Sequence, residues 1–482
     1  MSVVDPHIQV AGVPDWRTVD ELLDSIVHDG MSAEERVLTV FHTVRRMFVH
    51  GPTPRELAYD FHRVMHVLGT GACLSMTTPL NLLYERLGYR SQSWVHDDHH
   101  MLQVEYGGAW HCLDPHMCFG CYDRSQPPQL ASVEQLRADP TLARDAVAEG
   151  RAIDGYLLCG DRPDWFAGNE GDWYLEAGGD WPQVRLQEPF GAITLRPGES
   201  YTRSWQPGPH FYNDGWLERD GCGPIHHCAE ADRQDAANWP LYEPHGWTRP
   251  TNGRTYYRAW GVGVLQYQPR FVDDSYRAGV TDEGNTTVTD GVLCAADESI
   301  PATITFAVGC PYVLTAANLQ LTLTGGGHVS AWVHVHDKEP IAARPPGRGP
   351  SQMAHDWTEI GLAHEGDGNW AVDFDEEING CLDGYELRLQ ITDGGGVEAL
   401  RLTSHFQLNR FSLPNLLPGH NTVDVSAHRF DAPLVVCYKW AEGPGWEQPR
   451  CERRTLRQDE RFELEVAGPH YPRMQELSLA VE

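Results

Sequence analysis

The chain has 482 residues, of which 41% are hydrophobic, and this length is typical of about three folded domains. Its formal net charge of -31 disfavours nucleic acid and anionic membrane surfaces as partners. No apolar run reaches the roughly 20 residues that a membrane helix requires. We therefore predict a folded protein with neither a nucleic-acid nor a membrane partner.

The first residues, MSVVDPHIQVAGVPDW, lack the basic start and the apolar core of a signal peptide. We expect a cytoplasmic protein, or a secreted one if a leader has been removed. The twelve cysteines are scattered, and reduced thiols are the default expectation for a cytoplasmic chain. The sequence does not determine the oligomeric state.

Residues 15 to 90 have the pattern of helices. Ser32 and Glu35 form a capping-box pattern, and the apolar residues from Val37 to Met47 that follow have helical spacing. A second helix is predicted over about residues 54 to 67, and a third ends at Leu87-Gly88. Pro79 leaves open whether this third helix begins near Cys73 or at the proline itself.

From Ser91 the hydrophobic period changes to two, which predicts strands over residues 91 to 96 and 99 to 106. Gly107-Gly108 is typical of a two-residue hairpin turn, so residues 110 to 114 form the returning strand. Residues 133 to 148 are predicted to be helical. After about residue 190, short alternating strands separated by glycine-rich turns are typical of β-sandwiches.

Three residue types that together perform nucleophilic catalysis follow one another in the first 115 residues. Cys73 follows a glycine-rich segment, and His99 and Asp114 lie on the two strands of the predicted hairpin. A thiol nucleophile needs a base, and the base needs a group that orients it. If Tyr106 pairs with Ala109, His99 lies diagonally across from Asp114 on one face of the hairpin, and His100 lies on the other.

These residues resemble the pattern of the transglutaminase-like superfamily of papain-type cysteine enzymes. The pattern consists of Gly71-Ala-Cys73, a helix ending in Leu87-Gly88, His99 at a strand start, Trp110 and Asp114-Pro115. The resemblance covers about residues 32 to 123. Some bacterial proteins with a similar architecture resemble parts of polysaccharide-degrading systems.

The resemblance implies an α+β protein. We expect a papain/transglutaminase-like N-terminal domain over residues 1-190, a β-rich middle domain over 191-294 and a C-terminal β-sandwich over 295-482. It also implies a hydrolase or acyltransferase that acts on an amide bond. Cys73 would attack the carbonyl, His99 would accept and return the proton, and Asp114 would orient His99. The backbone N–H of Cys73 would contribute to an oxyanion hole.

The expected substrate is peptide-like or a carbohydrate, and no cofactor is predicted. The substrate contacts are predicted at four positions of the hairpin: His100, Gln103, Tyr106 and Trp110. One alternative function is a polysaccharide lyase or glycosidase on the same core, which the aromatic-rich stretch over residues 201 to 267 favours. A non-catalytic binding protein is the other alternative.

The sequence also contains two possible metal sites, which it favours less than the thiol site. Residues 95 to 100 contain three histidines and two aspartates, but neighbouring residues of a strand point to opposite faces. Cys118 and Cys121 have the spacing of zinc ligands, and Cys222 and Cys228, with His226 and His227 between them, could complete a site. Coincidence is the expected explanation in a chain with twelve cysteines, and no metal is predicted.

Overall fold

The computed structural model describes residues 2–50, 59–71, 73–96, 99–116, 119–153, 172–175, 184, 186–206, 260–335 and 357–481. These residues are mostly β, arranged in several sheets. No helix within these ranges is both long and apolar enough to cross a membrane.

Helices make up a small part of the described chain. They are α1 (Val19–Ile26), α2 (Ala33–Arg46), α3 (Phe61–Arg63), α4 (Cys73–Arg86), α5 (Val133–Ala138), α6 (Thr141–Arg144) and α7 (Asp375–Ile378). A π-helical turn over Val64–Leu68 continues α3, and 3-10 turns span Asp274–Gly279 and Arg410–Ser412.

The strands are numbered in chain order. They are β1 (Val3–Val10), β2 (Val49–His50), β3 (Thr70–Gly71), β4 (Arg90–His96), β5 (His99–Tyr106), β6 (Ala109–Leu113), β7 (Asp172–Leu175), β8 (Thr194–Leu195), β9 (Glu199–Ser204), β10 (Trp260–Tyr267), β11 (Val280–Gly284), β12 (Thr286–Thr289), β13 (Val292–Ala295), β14 (Ala302–Thr324), β15 (His328–Val335), β16 (Thr358–Ile360), β17 (Ala363–Gly366), β18 (Asn369–Asp373), β19 (Leu382–Thr392), β20 (Gly396–Asn409), β21 (Gly419–Phe430), β22 (Leu434–Glu442), β23 (Gln448–Leu456), β24 (Glu460–Val466) and β25 (Arg473–Val481).

The chain divides into two compact units, which we call the helical unit and the β unit. The helical unit contains the described residues between positions 14 and 188. The β unit contains the described residues of 2–13, 189–206 and 260–481. A unit boundary thus lies next to the predicted boundary at residue 190, but the first thirteen residues belong to the β unit.

The helical unit contains an antiparallel sheet with the strand order β6-β5-β4-β7. Helix α4 packs against β5 and α2, and α5 packs against β6. The hydroxyl of Tyr84 on α4 donates to the carbonyl of Val37 on α2 over 3.0 Å. Because β5 lies inside the sheet with helices packed nearby, residues on both of its faces are buried, including Met101 and Leu102.

The local signals in the helical unit give the expected elements with one difference. Ser32 and Glu35 form the predicted capping box of α2. The helix predicted over residues 133 to 148 is instead the pair α5 and α6. It breaks at Asp139-Pro140, where the proline has no N–H to donate and the Asp139 carboxylate accepts from the N–H of Thr141. Of the helix predicted over 54 to 67, residues 54–58 lie outside the described ranges.

The β unit contains a fifteen-stranded sheet and a four-stranded sheet with the order β24-β21-β1-β8. Strand β14 is central to the larger sheet, and it pairs with β19 on one side and β20 on the other. Strands β10 and β13 also pair with β20. The predicted division at residue 295 therefore does not separate two domains here, because strands from both sides of it share one sheet. The loop predicted over residues 341 to 352 lies outside the described ranges.

Candidate functional site

Cys73 is the first residue of α4, and the short strand β3 ends two positions before it. Gly69 has a left-handed backbone, with φ of 55°, and ends the π-helical turn. At Gly71 an added Cβ would lie 2.8 Å from both Met76 Cγ and Phe48 Cδ1. Glycine at this position therefore allows the chain to pass close to two core side chains and deliver Cys73 to the helix start.

The helix begins at Cys73 and not at Pro79, although a proline lies inside it. The hydroxyl of Thr77 donates to the Cys73 carbonyl over 3.0 Å, and that of Thr78 donates to the Leu74 carbonyl over 2.9 Å. These two bonds add side-chain donors to carbonyls of the first turn. They do not replace the bond that Pro79 cannot donate, which would go to the carbonyl of residue 75. Because the helix begins at Cys73, the sulfur of this residue lies at the positive end of the helix dipole.

His99 and Asp114 come together through the hairpin register. Tyr106 pairs with Ala109 and Leu102 with Leu113, as the two-glycine turn predicts. Both glycines of the turn have positive φ, 60° for Gly107 and 79° for Gly108. Continuing the pairing places His99 and Asp114 on one face.

The imidazole of His99 is bound to the carboxylate of Asp114. His99 Nε2 lies 2.5 Å from Asp114 Oδ2, and both residues are nearly buried. The backbone of Asp114 is fixed in turn by two hydrogen bonds with Phe119, each 2.9 Å long. The carboxylate therefore holds the ring in one orientation and leaves Nδ1 for another partner.

Cys73 is a further partner of this imidazole. A side-chain nitrogen of His99 and the Cys73 sulfur lie within 4.8 Å of each other. Burial by itself lowers the pKa of His99. The charge of Asp114 and the hydrogen bonds with Asp114 and Cys73 outweigh burial and raise this pKa to about 10. The arrangement thus favours a proton on the imidazole beside the thiol.

His116 is a further member of this cluster that the sequence analysis did not identify. Its ring lies 5.3 Å from the ring of His99 between centroids, and its backbone N–H donates to Asp114 Oδ1 over 3.0 Å. The available sequence signal was the spacing Asp114-Pro115-His116. An aspartate that accepts from the backbone two residues later forms a turn, which brings the later side chain back toward the site.

The predicted substrate-binding residues do not form one surface with the thiol. Gln103 is completely buried, and its amide oxygen accepts from the N–H of Val133. Gln103 is therefore not a substrate-binding residue of this site. His100 is half-buried and lies next to His99, but adjacent strand residues point to opposite faces.

Tyr106 and Trp110 lie at the far end of the hairpin. Tyr106 is seven positions after His99, which corresponds to about 23 Å of extended strand. The Tyr106 hydroxyl donates to Glu34, and its ring stacks on His111 at 3.7 Å between centroids. The guanidinium of Arg90 lies 5.4 Å from the ring centre of Trp110. We therefore do not place either aromatic residue at the thiol.

Most residues of the two possible metal sites lie outside the described ranges. This applies to Cys118, Cys222, Cys228, His226 and His227 of the zinc pattern, and to Asp97 and Asp98 of the histidine-rich stretch. Cys121 is described, and its buried sulfur contacts the Leu142 carbonyl. Most of the aromatic stretch is also outside. Tyr201, Trp205, Trp260 and Tyr267 are its described aromatic members, and all four lie in the core of the β unit.

Comparisons with known proteins give no family for this chain. No family model matches the sequence, and no curated protein matches it. One similar solved structure is the pilus backbone protein RrgB from Streptococcus pneumoniae, with 11% sequence identity and a TM-score of 0.08. The match covers 40% of this chain and 44% of the pilus protein. A TM-score this low supports no statement about the fold.

Proposed function

We propose that this protein is a transglutaminase-like thiol hydrolase or acyltransferase that acts on an amide bond through Cys73, His99 and Asp114. The supporting observation is the chain of contacts from the sulfur of Cys73 to the imidazole of His99 and on to the carboxylate of Asp114. The papain-like character of the helical unit belongs to the same proposal. A helix with a cysteine at its start, packed on an antiparallel sheet that carries histidine and aspartate, supports it.

In the proposed reaction His99 accepts the thiol proton, and the Cys73 sulfur forms a bond to the substrate carbonyl carbon. The negative charge on the carbonyl oxygen is stabilised by N–H groups at the start of α4, which is the positive end of the helix dipole. The imidazolium returns its proton to the departing amine, and a thioester remains on Cys73. Water or an acceptor amine then releases the acyl group and regenerates the thiol.

An activated ester tests this function without knowledge of the natural substrate. With p-nitrophenyl acetate, we expect release of p-nitrophenolate and an acetyl group on Cys73 in the peptide mass spectrum. Cys73→Ala should abolish the release, because the sulfur is the acyl acceptor. Cys294→Ala is the matched control, since Cys294 is also partly exposed but lies in the β unit. Wild-type turnover by Cys73→Ala would disprove the thiol mechanism.

Alkylation gives a second, residue-specific measurement. We expect iodoacetamide to modify Cys73 at least about 10-fold faster than Cys294 at neutral pH, because the proposed base His99 accepts the thiol proton of Cys73. His99→Gln should remove most of this difference, since glutamine cannot accept the thiol proton. Equal rates at the two cysteines in the wild-type protein would count against His99 as the base.

The polysaccharide lyase or glycosidase remains the alternative proposal, and a non-catalytic binding protein is the other. A lyase would release products that absorb ultraviolet light through a new C=C bond, and this activity would survive in Cys73→Ala. Binding of a glycan without turnover would indicate the binding protein.

A further inference from the structure

Three metal-binding side chains meet at the start of α4. Cys73, His99 and His116 each contribute one donor atom, and these atoms all lie within 4.8 Å of one another. In a tetrahedral zinc site the sulfur lies about 2.3 Å from the metal and the nitrogens about 2.0 to 2.1 Å, so donors are separated by about 3.3 to 3.8 Å. Small side-chain rotations therefore suffice to bring the three donors to this spacing.

The same carboxylate positions both histidines. Asp114 Oδ2 binds Nε2 of His99, and Asp114 Oδ1 accepts the backbone N–H of His116. A histidine that binds a metal through one ring nitrogen usually donates its other ring N–H to a carboxylate or carbonyl oxygen. Asp114 is nearly buried and has this relation to His99. The cluster thus has three donor atoms and also an outer-sphere carboxylate that is hydrogen-bonded to one of the histidines.

We propose that Cys73, His99 and His116 form a three-ligand site for Zn²⁺, with the fourth position open to water or to a substrate oxygen. One thiolate and two imidazoles suit this borderline-soft ion. Cys73 and His116 are partly exposed, which gives the ion a path to the site.

Metal binding and thiol catalysis exclude each other at this site. Zn²⁺ takes the sulfur lone pair that would attack the carbonyl, and the thiol proton is released to solvent. It also occupies the imidazole nitrogen that would accept this proton. The zinc-bound protein is therefore a reversibly blocked form of the thiol enzyme. This consequence rests on the proposed function, whereas the binding site itself does not.

Cobalt provides a test that reports sulfur ligation. The full-length protein is stripped of metal with a chelator and titrated with CoCl₂. We expect a thiolate-to-cobalt charge-transfer band in the near ultraviolet that saturates at one equivalent and disappears when ZnCl₂ is added. The band should be lost in Cys73→Ser and weakened in His116→Ala. An identical band in wild type and Cys73→Ser would overturn the proposal, as would its complete absence in the wild-type protein.

One variant tests whether cobalt binds elsewhere on the surface, and a second tests whether Asp114 supports the ligands. His420→Ala should bind like wild type, because His420 is an exposed histidine with glutamates beside it in the β unit. Asp114→Asn should bind about 10- to 100-fold more weakly, the range found for lost outer-sphere partners. His116→Ala should weaken binding further. Wild-type affinity in His116→Ala would overturn the three-ligand site, and His116→Gln replaces it if the alanine variant does not fold.

Protection from alkylation distinguishes failure of the metal site from failure of the thiol function. Zn²⁺ should protect Cys73 from iodoacetamide in wild type but much less in His116→Ala. If metal-free Cys73 reacts rapidly and Zn²⁺ gives no protection, the zinc site is wrong and the thiol function stands. If the cobalt band forms but metal-free Cys73 accepts no acetyl group, the thiol function is wrong and the zinc site stands.

Discussion

The pKa of His99 shows that neighbouring groups can outweigh the effect of burial. Transfer of a histidine into the protein interior disfavours its charged form. The ionised Asp114 and the hydrogen bonds with Asp114 and Cys73 act in the opposite direction, and the pKa of His99 rises to about 10. The protonated ring is therefore the favoured state at neutral pH, although the residue is almost inaccessible to solvent.

This shift predicts a pH dependence of stability. The pKa of His99 is higher in the folded protein than its ordinary value of 6.5, so the folded state binds the proton more tightly. The stabilisation is complete below about pH 6.5 and is lost as the pH rises toward about 10. Urea unfolding of wild type and His99→Gln should therefore show a difference in free energy of unfolding that shrinks from about pH 6 to about pH 9.5.

The opposite trend would contradict the raised pKa. Tyr106→Phe is a useful control, because it removes a hydroxyl bound to Glu34 at the other end of the same strand. Its free energy of unfolding should differ from wild type by an amount that changes little over the range in which His99 titrates. A direct titration of the His99 ring by NMR gives the pKa itself.

At the scale of elements, we expect the close packing of Gly71 just before α4 to determine where the thiol lies. Gly71→Ala would place a methyl group against Met76 and Phe48, both of which are buried. We expect a loss of about 1 to 3 kcal/mol in the free energy of unfolding, the usual result of overpacking. Alkylation of Cys73 should also slow, because the displaced helix start carries the sulfur.

Gly326→Ala serves as the matched control for this substitution. Gly326 has open space around the added Cβ, so its replacement should change stability by less than about 0.5 kcal/mol, as for ordinary surface positions. Denaturant unfolding with alkylation of the same samples measures both effects. An unchanged alkylation rate in a destabilised Gly71→Ala would show that the packing of Gly71 does not position Cys73.

Strands β22 and β23 bring a second pair of thiols together. The sulfurs of Cys437 and Cys451 are 3.4 Å apart, and Cys451 is exposed. We predict that oxidised glutathione first forms a mixed disulfide with Cys451, which the Cys437 sulfur then displaces. The net reaction converts two protein thiols and one glutathione disulfide into one protein disulfide and two glutathione thiols.

Peptide mapping by mass spectrometry measures the outcome. The oxidised protein should contain a linked Cys437–Cys451 peptide that is two hydrogens lighter than the reduced pair. The reaction should be slow, because burial and the neighbouring Cys451 thiol raise the pKa of Cys437 to about 11. Cys437→Ser should stop at the mixed disulfide. Glutathionylated Cys451 that persists in the wild-type protein after the reaction has reached its end point would contradict the prediction.

At the scale of the whole molecule, the net charge of -31 means that negatively charged groups repel one another in the folded protein. Salt screens such repulsion, since the distance over which charges interact falls from about 30 Å at 0.01 M to about 10 Å at 0.1 M. We predict that the thermal midpoint rises when sodium chloride increases over about this range. Calorimetry at both concentrations tests this, and a lower midpoint in salt would show that attractive ion pairs outweigh the repulsion.

Long-range pairing sets the arrangement of the β unit, and the sequence did not reveal it. The alternation of strands predicted a β-rich region, yet the boundary at residue 295 divides strands that share a sheet. Strand β10 pairs with β20, more than a hundred residues later, and β1 pairs with β21. Alternation shows which face of a strand is buried, but it does not show which strand lies beside it.

The sequence by itself determined the local features whose causes are local. These are the capping box at Ser32, the end of α4 at Gly88 and the hairpin turn at Gly107-Gly108, whose register places His99 opposite the Asp114 end of the returning strand. The tertiary structure decided what depends on contacts distant in the chain. It brought the sulfur of Cys73 to His99 through the packing of α4 on β5, and it buried Gln103 against the start of α5, because these contacts join residues that no local pattern connects.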